Sequence, residues 1–182
     1  LVMATPLKIH AEIGLAVALA VVLDLVGKSL PLPRLPYGGS IGLRMLPILV
    51  VALRHGIKGG IWVGTVYGLV DFVLQGLYFH PVQVILDYPV AHAAIGLAGL
   101  FHGGLEGRGN VWYTVRLASG IMLGTLGRFV CHFVSGIVFF GEYAPPDQPL
   151  WLYSAFYNAS YIIPELILAL LLLPVFKRLI RI

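Results

Sequence analysis

Charge is what this chain lacks most. Asp, Glu, Lys and Arg together make up 11% of its 182 residues, 12 basic and 8 acidic, while 59% are hydrophobic. A water-exposed globular fold needs a polar coat that so few charged groups do not supply. The net charge of +4 is scattered and not gathered into a stripe. That excludes the electrostatic footprint of a nucleic-acid binder. There is one cysteine, Cys131, so neither an intrachain disulfide nor a thiolate cage for a metal is available. The sequence holds no HExxH, no GxSxG and no phosphate-binding loop, and no close pair of carboxylates inside an apolar stretch. Nothing therefore points to hydrolytic chemistry, and the chain does not use ATP by itself. An inverted repeat of the kind many secondary transporters carry is also missing. A separate cleavable leader is not expected, because the first apolar stretch reads as a true span.

What the chain has is long apolar stretches, and lipid is the solvent that suits them. Six can be drawn, at approximately 9–26, 41–55, 59–76, 81–100, 111–140 and 150–175. They predict a single domain over residues 1–182, an all-α integral membrane protein of six transmembrane helices. Pro81 suits the first turn of the fourth span, and HGGLEGRGN and GEYAPPDQP read as loops. Lys8, Arg54, Lys58, Arg108, Lys177, Arg178 and Arg181 fall on one side of this threading, with only Lys28 and Arg34 on the other. By the positive-inside rule both termini are cytoplasmic and the loops at 27–40, 77–80 and 141–149 face outward.

Against this background the intramembrane polar residues stand out, since such groups are costly in hydrocarbon and usually face a cavity. Arg128, His132, Gly136 and Phe140 recur every four residues in the fifth span and share one helix face. A glycine there could let a flat ring approach the backbone. In the fourth span, LDYPV places Asp87 in the outer third beside Pro89. Its carboxylate has two open readings, a structural ion pair with Arg128 or Arg44, or a contact to a cationic ligand. Tyr153 and Asn158 open the sixth span, about 140° apart on a regular helix, so that both can flank a groove. Tyr67 and Asp71 share a face of the third span and belong either to the pocket or to packing. Gly60, Gly64 and Gly68, and Gly120 with Gly124, form small-residue stripes suited to close helix packing in lipid. Ala16 and Ala20 make a similar face in the first span, either internal or for a partner. Aromatic rings with one carboxylate suit an organic cation. The sum is a pocket opening to the outer face for a small polar guest.

The stretch YGGSIGLRMLPILVVALRHGIKGGIWVGTVYGLVDFVL, with HPVQVILDYPVAHAAIGLAGLF and RFVCHFVSGIVFFGEYAP…YSAFYNASYIIPE, resembles the thiamine-specific S-components of energy-coupling factor transporters, in order and over nearly the whole chain. The resemblance implies a six-helix, non-enzymatic binder of thiamine with high affinity in a prokaryotic cell membrane. It would have no cofactor and would deliver its ligand through a transmembrane coupling protein and two ATPases. It assigns ligand contact to Asp87 and Tyr88, where the acid is often Glu in relatives, and to Arg128, where Lys is common. It adds His132 with Gly136, Phe140 in place of a frequent Trp, and Tyr153 and Asn158. Tyr37 is the candidate for an aromatic residue on the loop that closes over the site. Ala16 and Ala20 correspond to a surface that docks on the coupling protein. The alternatives are an S-component for another vitamin or a thiamine precursor, a membrane enzyme using His132 and Asp87 as acid and base, and a ligand-free scaffold.

Overall fold

The computed structural model describes residues 6–29, 35–36, 39–103 and 110–181. Its regular elements are helices: α1 (Pro6–Ser29), α2 (Met45–Gln75), α3 (Pro81–Phe101), α4 (Asn110–Phe139), α5 (Leu150–Leu171) and α6 (Leu173–Arg181). The first five are long and apolar enough to cross a membrane. Large apolar side chains such as Leu15, Trp62 and Val73 point outward from them. In lipid such a surface carries no penalty.

Two expected spans lie within α2. The helical ladder is interrupted at Gly56, whose φ of 80° and ψ of −173° are open essentially only to glycine. A methyl at Gly60 would lie 2.6 Å from the Cβ of Ala52. In a straight helix residues eight apart are separated by roughly 12 Å. The chain therefore folds back at Gly56 into two arms, 45–55 and 57–75, so the two spans are two helices in space. The first arm is shorter than expected. Residues 41–44 are not helical, and the arm's length of roughly 16 Å covers about half of the ~30 Å hydrocarbon layer. Ser40 and Arg44 in this lead-in are buried, which is where irregular backbone is tolerated at membrane depth.

The last expected span is likewise divided. Pro174 has no N–H to extend the α5 ladder, so α5 ends at Leu171 and α6 starts anew, burying Phe176 and leaving Arg178 exposed.

The glycine stripes explain how α3 is held. A methyl on Gly64 would sit 2.1 Å from the His92 carbonyl oxygen, and one on Gly68 would sit 2.4 Å from that of Tyr88. From the other side, a methyl on Gly124 would sit 2.5 Å from the Ile95 oxygen. The second arm of α2 and α4 thus clasp α3 at backbone contact. Between them α3 changes geometry along its length: α-helical over Pro81–Ile85, a π turn over Leu86–Val90 that contains Pro89, α again over Ala91–Ala94, and 3₁₀ over Ile95–Phe101.

Ala16 and Ala20, the proposed docking face, are 8% and 0% exposed and belong to the chain's own core with Ile48, Leu49 and Ala52. Their size serves the packing of α1 on α2. The outer face of α1 is formed by Leu15, Leu19 and Val22 instead. Ala16 still reaches the floor of an apolar groove that runs between α1, the first arm of α2 and α6.

Gly64→Ala drives a methyl into a backbone carbonyl and Gly56→Ala forces alanine into a glycine-only conformation. Each is expected to cost on the order of 1–3 kcal/mol, read as a lower unfolding temperature in detergent. Gly14→Ala, where a methyl meets nothing within 4 Å, serves as the neutral comparison.

Candidate functional site

The polar residues lie mostly at one end of the bundle, where the first arm of α2, α3 and α5 begin and where α1, the second arm of α2 and α4 finish. At its base is a line of alternating charge. Lys28 Nζ is 2.7 Å from Asp24 Oδ2, Asp24 Oδ1 is 2.6 Å from Arg44 Nη1, and Arg44 Nη2 is 3.5 Å from Glu165 Oε1. Glu165 Oε2 then accepts from Arg128 Nη1. Asp24, Arg44, Arg128 and Glu165 are all buried. Buried ions are tolerable only when paired and hydrogen-bonded on their remaining sides. Here Arg44 Nη2 also donates to the Ser40 carbonyl at 2.7 Å, and the Gly42 N–H donates to Glu165 Oε1 at 2.9 Å. These bonds satisfy the non-helical lead-in to α2.

Above this line is a chamber with about 760 Å³ of space unfilled by protein, part of it continuous with solvent. Its first wall comes from α3. Gln83 Nε2 donates to Asp87 Oδ2 at 2.8 Å, and Asp87 Oδ1 is 3.2 Å from His132 Nδ1 on α4. A carboxylate accepts, so Nδ1 carries the proton. His132 Nε2 is buried with no partner among the described residues. His92 is arranged in the same way, with Nδ1 2.8 Å from the Tyr88 carbonyl oxygen and Nε2 without a partner among the described residues. The Nε atoms of Arg44 and Arg128 and the hydroxyl of Ser135 share that condition. All five side chains line the chamber. Buried polar atoms normally have partners, so their gathering here marks surface suited to a polar guest.

Rings form the remaining walls. Phe140 stands edge-on to Phe79 at 5.0 Å, and Tyr153, Tyr157 and Tyr161 follow one another along α5 at about 6 Å. The Tyr161 ring carries the Arg128 guanidinium 5.9 Å from its centre. The Tyr157 hydroxyl accepts from Gly39 N–H at 3.1 Å and donates to the Pro36 carbonyl, holding the first loop against α5.

Asp87, Tyr88, Arg128, His132, Gly136, Phe140, Tyr153 and Asn158 all line this one chamber. Tyr37 lies outside the described residues. Three local readings change. Asp87 pairs with neither Arg44 nor Arg128, whose carboxylates are Asp24 and Glu165. The missing Cβ of Gly136 makes room for a neighbouring helix: a methyl there would lie 2.2 Å from the Ser154 hydroxyl. Asn158 is bonded through both ends of its amide inside the protein. Its Nδ2 donates to the carbonyls of Ser154 at 2.9 Å and His132 at 3.2 Å, and its Oδ1 accepts from Tyr161 at 2.6 Å. It braces the His132 backbone, and its Oδ1 keeps one acceptor position. Tyr88 spends its hydroxyl on the Leu77 N–H at 2.6 Å. Asp71 lines the chamber, and Tyr67 is buried with its ring edge-on to His92 at 4.8 Å.

Sequence reasoning missed Gln83, His92, Ser135, Ser154, Tyr157, Tyr161 and, below the chamber, Asp24 and Glu165. One signal was present. Ser154, Asn158, Tyr161 and Glu165 are spaced by four, three and four, a continuous polar face on α5. Among the described residues no group of three or more His, Cys, Asp or Glu side chains is placed to hold a metal ion.

The family model described as "Thiamine transporter protein" matches residues 10–181. Two curated proteins are similar to this chain. The thiamine transporter ThiT of Bacillus subtilis is 40% identical over 169 residues, covering 89% of this chain and 86% of the relative. That of Lacticaseibacillus paracasei is 36% identical over 124 residues, covering 64% and 62%. Among solved structures, ThiT from Listeria monocytogenes superposes with a TM-score of 0.79 at 25% identity, covering 96% of this chain and 97% of that one. A family match over nearly the full length, carried by a bundle of apolar helices, settles the class: this chain is a multi-pass membrane protein and belongs to the thiamine transporter family.

Proposed function

We propose that the chamber binds thiamine, and that the chain is the substrate-capture subunit of an energy-coupling factor importer. In this reading it takes the vitamin from outside the cell with high affinity and passes it on through a coupling protein and two ATPases. The observation that carries the reading is the Gln83–Asp87–His132 array in a ring-lined wall. Thiamine brings a permanently charged thiazolium, an aminopyrimidine and a hydroxyethyl tail. An ionised carboxyl has about four acceptor positions, so Asp87 retains capacity after Gln83 and His132 are served. Its charge offsets that of the thiazolium, and the faces of Phe140 and Tyr153 add cation–π attraction that grows when the site is dry. The unpartnered Nε2 atoms of His132 and His92 are acceptors in the neutral tautomer and suit the amino and hydroxyl hydrogens of the guest. The apolar groove beside Ala16, walled by Leu15, Leu19, Val50 and Val175, is the surface we assign to the coupling protein.

Equilibrium titration of the purified protein tests the ligand. Asp87→Asn is expected to weaken thiamine binding tenfold or more, about 1.4 kcal/mol, and unchanged affinity would remove Asp87 from the site. For the groove, Leu19→Gln is expected to abolish copurification with a purified coupling module while leaving the thiamine dissociation constant within about twofold. Retained copurification would place the docking surface elsewhere.

A further inference from the structure

The chamber wall poses an electrostatic problem. Two of its side chains, Arg44 and Arg128, are guanidiniums, each with a buried Nε that has no partner among the described residues. Bare guanidiniums in a dry wall attract carboxylate and phosphate and repel cations. Glu165 is not part of the wall. It lies behind it, buried, and touches both arginines, accepting from Arg128 Nη1 with Oε2 and lying 3.5 Å from Arg44 Nη2 with Oε1. Asp24 also holds Arg44, at 2.6 Å, and shares its charge with Lys28. Glu165 is the one carboxylate paired with Arg128 among the described residues.

We propose that Glu165 determines the charge preference of the chamber, neutralising Arg128 and Arg44 from behind so that both act as hydrogen-bond donors and Asp87 and Asp71 set the sign of the wall. It is a positioning and specificity-determining residue that never touches the guest. This inference rests on the thiamine reading. Phosphorylated thiamine differs from thiamine by an anionic tail, so the pair of ligands reports the sign of the wall directly.

The test is equilibrium binding of thiamine and thiamine monophosphate to the unaltered chain, Glu165→Gln and Glu165→Asp. Glutamine keeps the shape and can still accept from Gly42, but it leaves Arg128 as an uncompensated charge. The ratio of the two dissociation constants is expected to move at least tenfold toward the phosphate in Glu165→Gln, with Glu165→Asp restoring the preference for thiamine. A purely structural role would weaken both ligands alike, and that result overturns the inference. If Glu165→Gln does not accumulate in purified form, the ratio is read by competition against labelled thiamine in membranes holding Glu165→Ala, which removes the same charge, and an unchanged ratio there overturns the inference. An unaltered chain that binds thiamine but favours the monophosphate sinks this inference alone. One that binds no thiamine sinks the transport reading and this inference with it.

Discussion

Irregular backbone survives at membrane depth only where protein surrounds it. That constraint organises this structure. Helix α3 departs from α-geometry over most of its length, and each departure weakens or redirects backbone hydrogen bonds that lipid cannot replace. The glycines of α2 and α4 answer this by bringing two helices to backbone contact on either side of it. Small residues here are thus the condition for having a deformed helix at all. The deformed helix in turn carries Asp87, Tyr88 and His92 into one wall.

The lead-in to α2 solves the same problem with charge. Residues 39–44 are not helical at a depth where their polar backbone groups need partners, and Glu165 and Arg44 provide them. The ion pairs also tie α1, α2, α4 and α5 together at the floor of the chamber. Breaking one buried pair typically costs about 3–5 kcal/mol, because the partner is left bare. The atoms that hold the floor together are thus also the ones that balance its charge.

Much of this was legible in the sequence because a polar side chain in an apolar run has few explanations. Asp87, Arg128, His132, Tyr153 and Asn158 announced the chamber by being out of place, and the spacing of four from Arg128 to Phe140 aligned that stripe on one face. The fold class followed from low charge and long apolar stretches. Other features were not legible. Gly56 looked like any glycine between two spans, because a positive φ leaves no mark in composition. Glu165 and Asp24 sat among residues already assigned to spans, and the partners that make them tolerable come from 121 and 20 residues away in sequence. Ala16 and Ala20 left two readings open because a small-residue face looks the same whether it meets its own chain or another one. Asn158 was found, but its partners inside the protein were not, since an amide's partners are a matter of geometry.

The π turn at Leu86–Val90 also acts as a phase shift. One extra residue in a helix turns everything downstream by roughly 100°. Ahead of the turn, Gln83 faces the chamber; beyond it, Gly96 and Ala98 face the glycines of the clasping helices. Without that shift, Gln83 would stand roughly 100° from its present place relative to the packing seam. Through this single inserted residue one transmembrane segment serves two differently oriented neighbourhoods.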